Sequence, residues 1–200
     1  MDNLPKPWPF APVERVEAID GTKCRPPDWW KVGAGAWGCY RSHYRIIEDC
    51  LQQGTSSVLI FEDDAVFCKE FQEMAELYFE HLPTNWTWAY LGGQHIDIQN
   101  HQPEKIGDYV VRPKNVIRTH AYGIRSSTLT VLYRHLSPKN TDQLDHIDRM
   151  YGRLMSRRKI GVYCPNPWLI GQAENTSDIA HRHFDQRYWD KGSQAGLERG

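Results

Sequence analysis

The chain has 200 residues, with 24 basic and 25 acidic side chains, a net charge of -1, and 40% hydrophobic and 24% charged residues. This composition excludes an intrinsically disordered chain and suits one domain with a sizeable core, while the balanced charge argues against a chain-wide polyanion binder. No apolar run approaches the roughly 20 residues needed to cross a bilayer, and Met1 to Pro5 lacks both a basic start and an apolar stretch, so a cytoplasmic protein without a signal peptide is expected.

Six of the twelve prolines fall within residues 1–27. That segment is expected to be irregular, with Val13 to Ile19 as its only short strand. Tyr40, Tyr44, Ile47 and Leu51 recur at helical spacing and stop at Gly54, which predicts a helix over residues 37–53. Ser57 to Phe61 is a short apolar, β-rich run and reads as a strand. A helix over 69–82 carries Phe71, Met74, Tyr78 and Leu82 on one face and ends at Pro83. Trp86 to Leu91 reads as a strand closed by Gly92 and Gly93. Gln94 to Thr119 shows no sustained period apart from a strand at Asp108 to Arg112, a pattern typical of functional loops. His120 to Ile124 is a further strand, followed by a helix through Leu129, Leu132, Tyr133 and Leu136. Leu144, Ile147, Tyr151 and Leu154 predict a helix over 142–156. Ile160 to Cys164 and Trp168 to Ile170 are the last short strands, and the tail after Asp185 reads as solvated. Strands alternating with helices indicate an α/β fold.

The informative run is Val58 to Ala65, an apolar strand that ends in Glu62, Asp63 and Asp64. Alternation along an extended chain places Glu62 and Asp64 on one side and Asp63 on the other. Two carboxylates about 4–6 Å apart, at an effective dielectric near 20, repel by about 3–4 kcal/mol. Protonation, a nearby arginine or a divalent cation relieves that repulsion. Open α/β sheets bind ligands beyond the carboxyl ends of their strands, where this cluster falls. A hard cation, Mn²⁺ or Mg²⁺, shared with substrate phosphates fits the ligand type. The alternative is an exposed acidic turn ahead of the next helix.

Other patterns carry less. Gly33, Gly35 and Gly38 match the dinucleotide fingerprint, but Pro26 to Lys31 cannot supply the buried strand it requires. These glycines instead suit a close backbone approach to a ligand or a packed helix. Asp145 and Asp148, three apart on a predicted helix, share a face, and either can serve as a general base or as a solvated helix face. Arg149, Arg153 and Arg157 form a basic stripe that suits a phosphate-bearing partner or an ordinary charged surface. His181 and His183 are too short a pattern to claim a metal. The five cysteines, Cys24, Cys39, Cys50, Cys68 and Cys164, include no Cys-x-x-Cys pair, which excludes a conventional zinc ribbon and favours a reducing compartment.

Taken in order, Val13 to Gly21, Gly38 to His43 and Leu59 to Ala65 resemble blocks of glycosyltransferase family 25. Tyr90 to Gly93, Ala121 to Ile124, the Asp148 region and Ser177 to Ile179 resemble its later blocks. The resemblance implies a GT-A type nucleotide-sugar fold, a Rossmann-like mixed sheet flanked by helices. It further implies a divalent metal, a nucleotide-sugar donor such as a UDP-hexose, and inversion at the anomeric carbon. By position, Glu62 and Asp64 would face metal and donor diphosphate, with Asp63 near the ribose. Ser42 and His43 would lie on the donor side, Gly92 and Gly93 would border the sugar pocket, Asp148 would be the acceptor-side base, and His181 would complete the metal shell. The strand and Asn-Leu-x-x-Arg-x-Asp-Arg run that usually open the family have no counterpart in residues 1–27. That departure keeps a non-catalytic nucleotide-sugar or glycan-binding module open as the alternative. The acceptor is equally open, as a glycan, a protein side chain or a hydroxylated base in nucleic acid.

Overall fold

A computed structural model describes residues 4–139, 144–157, 160–177 and 182–184. In chain order the elements are α1 (Ala34–Gln52), β1 (Ser57–Phe61), β2 (Ala65–Phe67), α2 (Phe71–Glu80), β3 (Trp88–His95), β4 (Glu104–Lys105) and β5 (Val110–Arg112). They continue with β6 (Val116–Arg125), α3 (Ser126–His135), α4 (Ile147–Arg157), β7 (Val162–Pro165), β8 (Ile170–Gln172), β9 (Asn175–Ser177) and β10 (Arg182–Phe184). Six strands form one sheet in the order β1-β6-β3-β7-β5-β4; β2 pairs with β8 and β9 with β10. Within the large sheet β3 and β7 run parallel and every other pairing is antiparallel.

The central strands are buried on both faces, so they read as continuous apolar runs. Trp88 and Tyr90 of β3, with Tyr122 and Ile124 of β6, pack against Tyr40 and Ile47 of α1, Leu129 of α3 and Tyr151 of α4. The intervening Ala89, Leu91 and Ala121 face the other way, onto Phe71, Ala75 and Tyr78 of α2. Each fully buried side chain of this size contributes about 1.5–3 kcal/mol. The result is the expected α/β arrangement, a mixed sheet with helices on both faces, consistent with a Rossmann-like glycosyltransferase fold.

Several boundaries depart from the sequence reading. Val13 to Ile19 is not a strand; it lies along α1, where the Ile19 N–H donates to the Ser42 hydroxyl (2.8 Å) and Arg45 donates to the Glu17 carbonyl. Gly21 and Gly38 let this segment cross the helix, since a Cβ on Gly38 would stand 2.4 Å from the Ile19 carbonyl oxygen. The first helix begins at Ala34, with Gly33 at φ +108° as its N-cap. β3 does not stop at Gly92 and Gly93 but continues, with register shifts, to His95. β6 starts at Val116, inside the stretch read as aperiodic. The helix expected over 142–156 starts at Ile147, and the last strands shift to 162–165 and 170–172. Residues 182–184 pair with 175–177, and the tail after Asp185 lies outside the described residues. Among the described residues no helix is long and apolar enough to cross a membrane.

Candidate active site

At the end of β1 the chain turns. The Glu62 N–H still donates to the His120 carbonyl (2.9 Å), but the Ala65 N–H closes back onto the Glu62 carbonyl (3.2 Å). Strand alternation therefore does not set the side-chain directions here; the turn does. Its outcome is that Asp63 is exposed while Glu62 and Asp64 are half-buried.

Glu62 is held by two neighbours. Its Oε1 accepts from the Thr119 hydroxyl at 2.6 Å and lies 3.2 Å from His43 Nε2. His43 is buried, and its Nδ1 lies 2.7 Å from the Tyr122 hydroxyl, itself 3.0 Å from the Tyr151 hydroxyl. An ionised Glu62 only accepts, so His43 Nε2 donates to it; in the neutral ring Nδ1 then accepts from Tyr122, and Tyr122 accepts from Tyr151. Burial works against the Glu62 charge, yet the hydrogen bonds from His43 and Thr119 overcome it and hold the carboxyl below its ordinary range.

Asp64 is placed differently. Its Oδ2 accepts from Gln172 Nε2 at 3.0 Å, while Oδ1 is buried with no hydrogen-bond partner among the described residues. Burial first, then the charges of Glu62 and Asp63, push its pKa up to about 6. An orphaned carboxylate oxygen beside a second carboxylate is an arrangement that a hard cation relieves, so the donor set fits Mn²⁺ or Mg²⁺.

Asp148 opens α4. Its Oδ2 accepts from the Arg118 N–H (3.3 Å) and its Oδ1 from the Arg149 N–H (2.7 Å). Arg118 sits in β6 at φ +82°, a left-handed conformation that costs a non-glycine residue about 1–3 kcal/mol. Arg118 thus binds Asp148 while the next residue, Thr119, binds Glu62. The Cys39 thiol on α1 completes the neighbourhood: burial, then the charges of Glu62, Asp148 and Asp64, raise its pKa far above the ordinary thiol value.

The other expected residues sit elsewhere or serve packing. Asp145 precedes α4 instead of sharing a helical face with Asp148; it bonds Arg153 (3.0 Å) and lies 3.8 Å from Arg149. Burial opposes its charge, but Arg153, the His146 N–H and Arg149 keep its carboxyl below the usual range. Two arginines of the basic stripe are thereby turned toward an acid. The Ser42 hydroxyl donates to the Gly38 carbonyl one turn back on α1 (2.8 Å) and accepts from the Ile19 N–H, which ties the extended segment to α1. Gly92 and Gly93 lie inside β3, where a Cβ would stand 2.3 Å from His120 Nε2 and 2.7 Å from Val116 Cγ1 respectively. His181 lies outside the described residues. Thr119, Tyr122, Tyr151 and Arg118 escaped the sequence reading because the pairing of β6 with β1 and the packing of α4 on β6, not spacing, bring them to the site. Cys39 had a signal, since it precedes His43 by one helical turn.

A carboxylate cluster beyond the end of a strand lies where open α/β sheets bind their ligands. The sequence profile of glycosyltransferase family 25 (LPS biosynthesis protein) matches residues 30–147, more than half of the chain, and the protein belongs to that family. The inactive glycosyltransferase 25 family member 3 of Homo sapiens is 32% identical over 91 residues, covering 44% of this chain and 14% of that protein. The probable inactive glycosyltransferase 25 family member 3 of Rattus norvegicus is 30% identical over 100 residues, 48% of this chain and 17% of that protein. A procollagen lysyl hydroxylase and glycosyltransferase of Acanthamoeba polyphaga mimivirus is 26% identical over 198 residues, 82% of this chain and 22% of that protein. The chain spans less than a quarter of the length of these relatives.

Proposed function

We propose that the chain transfers a sugar, with inversion, from a nucleotide-diphosphate donor to an acceptor hydroxyl, in a GT-A type site where Glu62 and Asp64 hold Mn²⁺ or Mg²⁺. The observation that carries this reading is the buried, unpartnered Asp64 Oδ1 beside Glu62. When bound, the cation supplies Lewis-acid neutralisation of charge on the departing diphosphate. Thr119 and His43 keep Glu62 ionised and fixed in direction. Asp148, oriented by the Arg118 and Arg149 backbone N–H groups, takes the proton of the acceptor hydroxyl, a role worth about 10²–10⁴-fold. A UDP-hexose is the donor that the family membership favours.

The test is turnover, read by mass spectrometry, of purified protein with Mn²⁺ and a panel of nucleotide sugars and hydroxyl acceptors. Asp64→Asn is expected to lose metal-dependent transfer, and Asp148→Asn to lose transfer while still binding donor. Full activity in Asp64→Asn overturns the mechanism. The word "inactive" in the names of the two mammalian relatives favours a second reading, a donor-binding module without transfer. Tight donor binding with no product across the panel selects that reading.

A further inference from the structure

Cys39 and His43 stand one turn apart on α1, so their side chains share a face. That face meets the end of β1. The Cys39 thiol sulfur, a His43 ring nitrogen and a Glu62 carboxylate oxygen all lie within 4.8 Å of one another. Manganese and magnesium prefer oxygen ligands, whereas one sulfur, one imidazole and one carboxylate are the donors of a zinc site. The histidine is buried and the thiol half-buried, on a helix whose position the core fixes.

The groups behind His43 also suit a metal. A histidine that binds through Nε2 must carry its proton on Nδ1 and needs an acceptor there. Tyr122 supplies one at 2.7 Å, because its hydroxyl can reverse: it accepts from Nδ1–H and donates to Tyr151 at 3.0 Å. The Tyr122 hydroxyl therefore has a partner on each side, His43 and Tyr151, in both the metal-free and the metal-bound tautomer.

We propose that Cys39, His43 and Glu62 form a thiophilic cation site that takes Zn²⁺, with Co²⁺ and Cd²⁺ as analogues, and that its use of Glu62 sets it in competition with the hard cation. Binding forms a metal–sulfur bond and releases the thiol proton to solvent. The imidazole stays neutral, its proton passing from Nε2 to Nδ1, so one proton leaves for each cation bound. Zinc binding itself does not depend on sugar transfer; the competition rests on the reading given above.

The experiment is a Co²⁺ titration of the full chain followed by absorption, with calorimetry of Zn²⁺ in buffers of different ionisation enthalpy. The expected result is one cobalt per chain, a sulfur-to-cobalt charge-transfer band displaced by Zn²⁺, and release of one proton. The band should vanish in Cys39→Ser and persist in Cys68→Ser, whose sulfur sits near the α2 side of the sheet. No band in the unaltered chain, or a band that survives Cys39→Ser, overturns the site. Should Cys39→Ser not fold, His43→Gln keeps the thiol and is expected to weaken binding tenfold or more; unchanged affinity is the contrary result. Since neither readout uses a sugar donor, an inert chain in the transfer assay leaves the zinc site standing, and a missing band leaves the transfer reading standing.

Discussion

Thr119→Val replaces one hydroxyl of the site with a methyl group. Valine nearly matches threonine in shape, so the change deletes the 2.6 Å bond to Glu62 without opening a cavity. Thr119 is buried, and the Glu62 side chain is only 28% exposed, so water replaces the lost donor incompletely. A hydrogen bond to an ionised group in such surroundings is worth about 1.5–3 kcal/mol, roughly 10- to 150-fold in the folding constant. The pH dependence has a definite sign. Glu62 is held below its ordinary range in the folded chain, so its ionised-form bonds stabilise the fold above the unfolded carboxyl pKa of about 4.3. That stability disappears as pH falls through the folded value. Urea unfolding of Thr119→Val and the parent chain is therefore expected to show the full deficit near pH ~7 and a smaller one near pH ~3. A deficit below about 0.5 kcal/mol, or one equal at both pH values, refutes the assignment of Thr119 as an anchor of the Glu62 charge.

Two further substitutions test the surroundings. Asp64→Asn removes a partly buried charge whose pKa burial and like charges have raised to about 6. The ionised form is disfavoured in the fold, so the penalty grows as pH rises through the unfolded value and is complete above about 6. The asparagine variant should be more stable than the parent at neutral pH by on the order of 1 kcal/mol after solvent screening, and equal to it below about pH 4, as read by urea unfolding. Gly38→Ala puts a methyl group 2.4 Å from the Ile19 carbonyl oxygen and 2.6 Å from the Gly21 nitrogen, both backbone atoms. Despite alanine's better helix propensity, it should cost about 1–3 kcal/mol and lower the melting temperature by several degrees.

How much of this the sequence displays depends on whether neighbours in space are neighbours in the chain. β1 is legible because Ser57 to Phe61 is a compact apolar run, and α1 because its buried face repeats every turn. Gly92 and Gly93 mislead: they look like a strand end, yet they are glycines because the His120 ring, Val116 and the Ile170 carbonyl occupy the space a side chain would need. β2 and β4 are too short to carry a period. Within the site, Glu62 and Asp64 announce themselves as charges that follow an apolar strand. Thr119, Tyr122 and Tyr151 do not, since hydroxyls scattered over a strand and a helix acquire meaning only when β6 pairs with β1 and α4 packs across it. The left-handed turn at Arg118 leaves no trace in residue type. Asp145 and Asp148 look equivalent in sequence; the start of α4 at Ile147 separates the acid paired with Arg153 from the one held by the Arg118 and Arg149 N–H groups.

The most direct measurement of the central claim is an electron paramagnetic resonance titration of Mn²⁺ into the full chain with uridine diphosphate present, repeated for Asp64→Asn. One bound ion per parent chain, and binding at least tenfold weaker in the variant, is the expected result. Free manganese throughout, or equal binding by both proteins, contradicts the claim that Glu62 and Asp64 form the cation site.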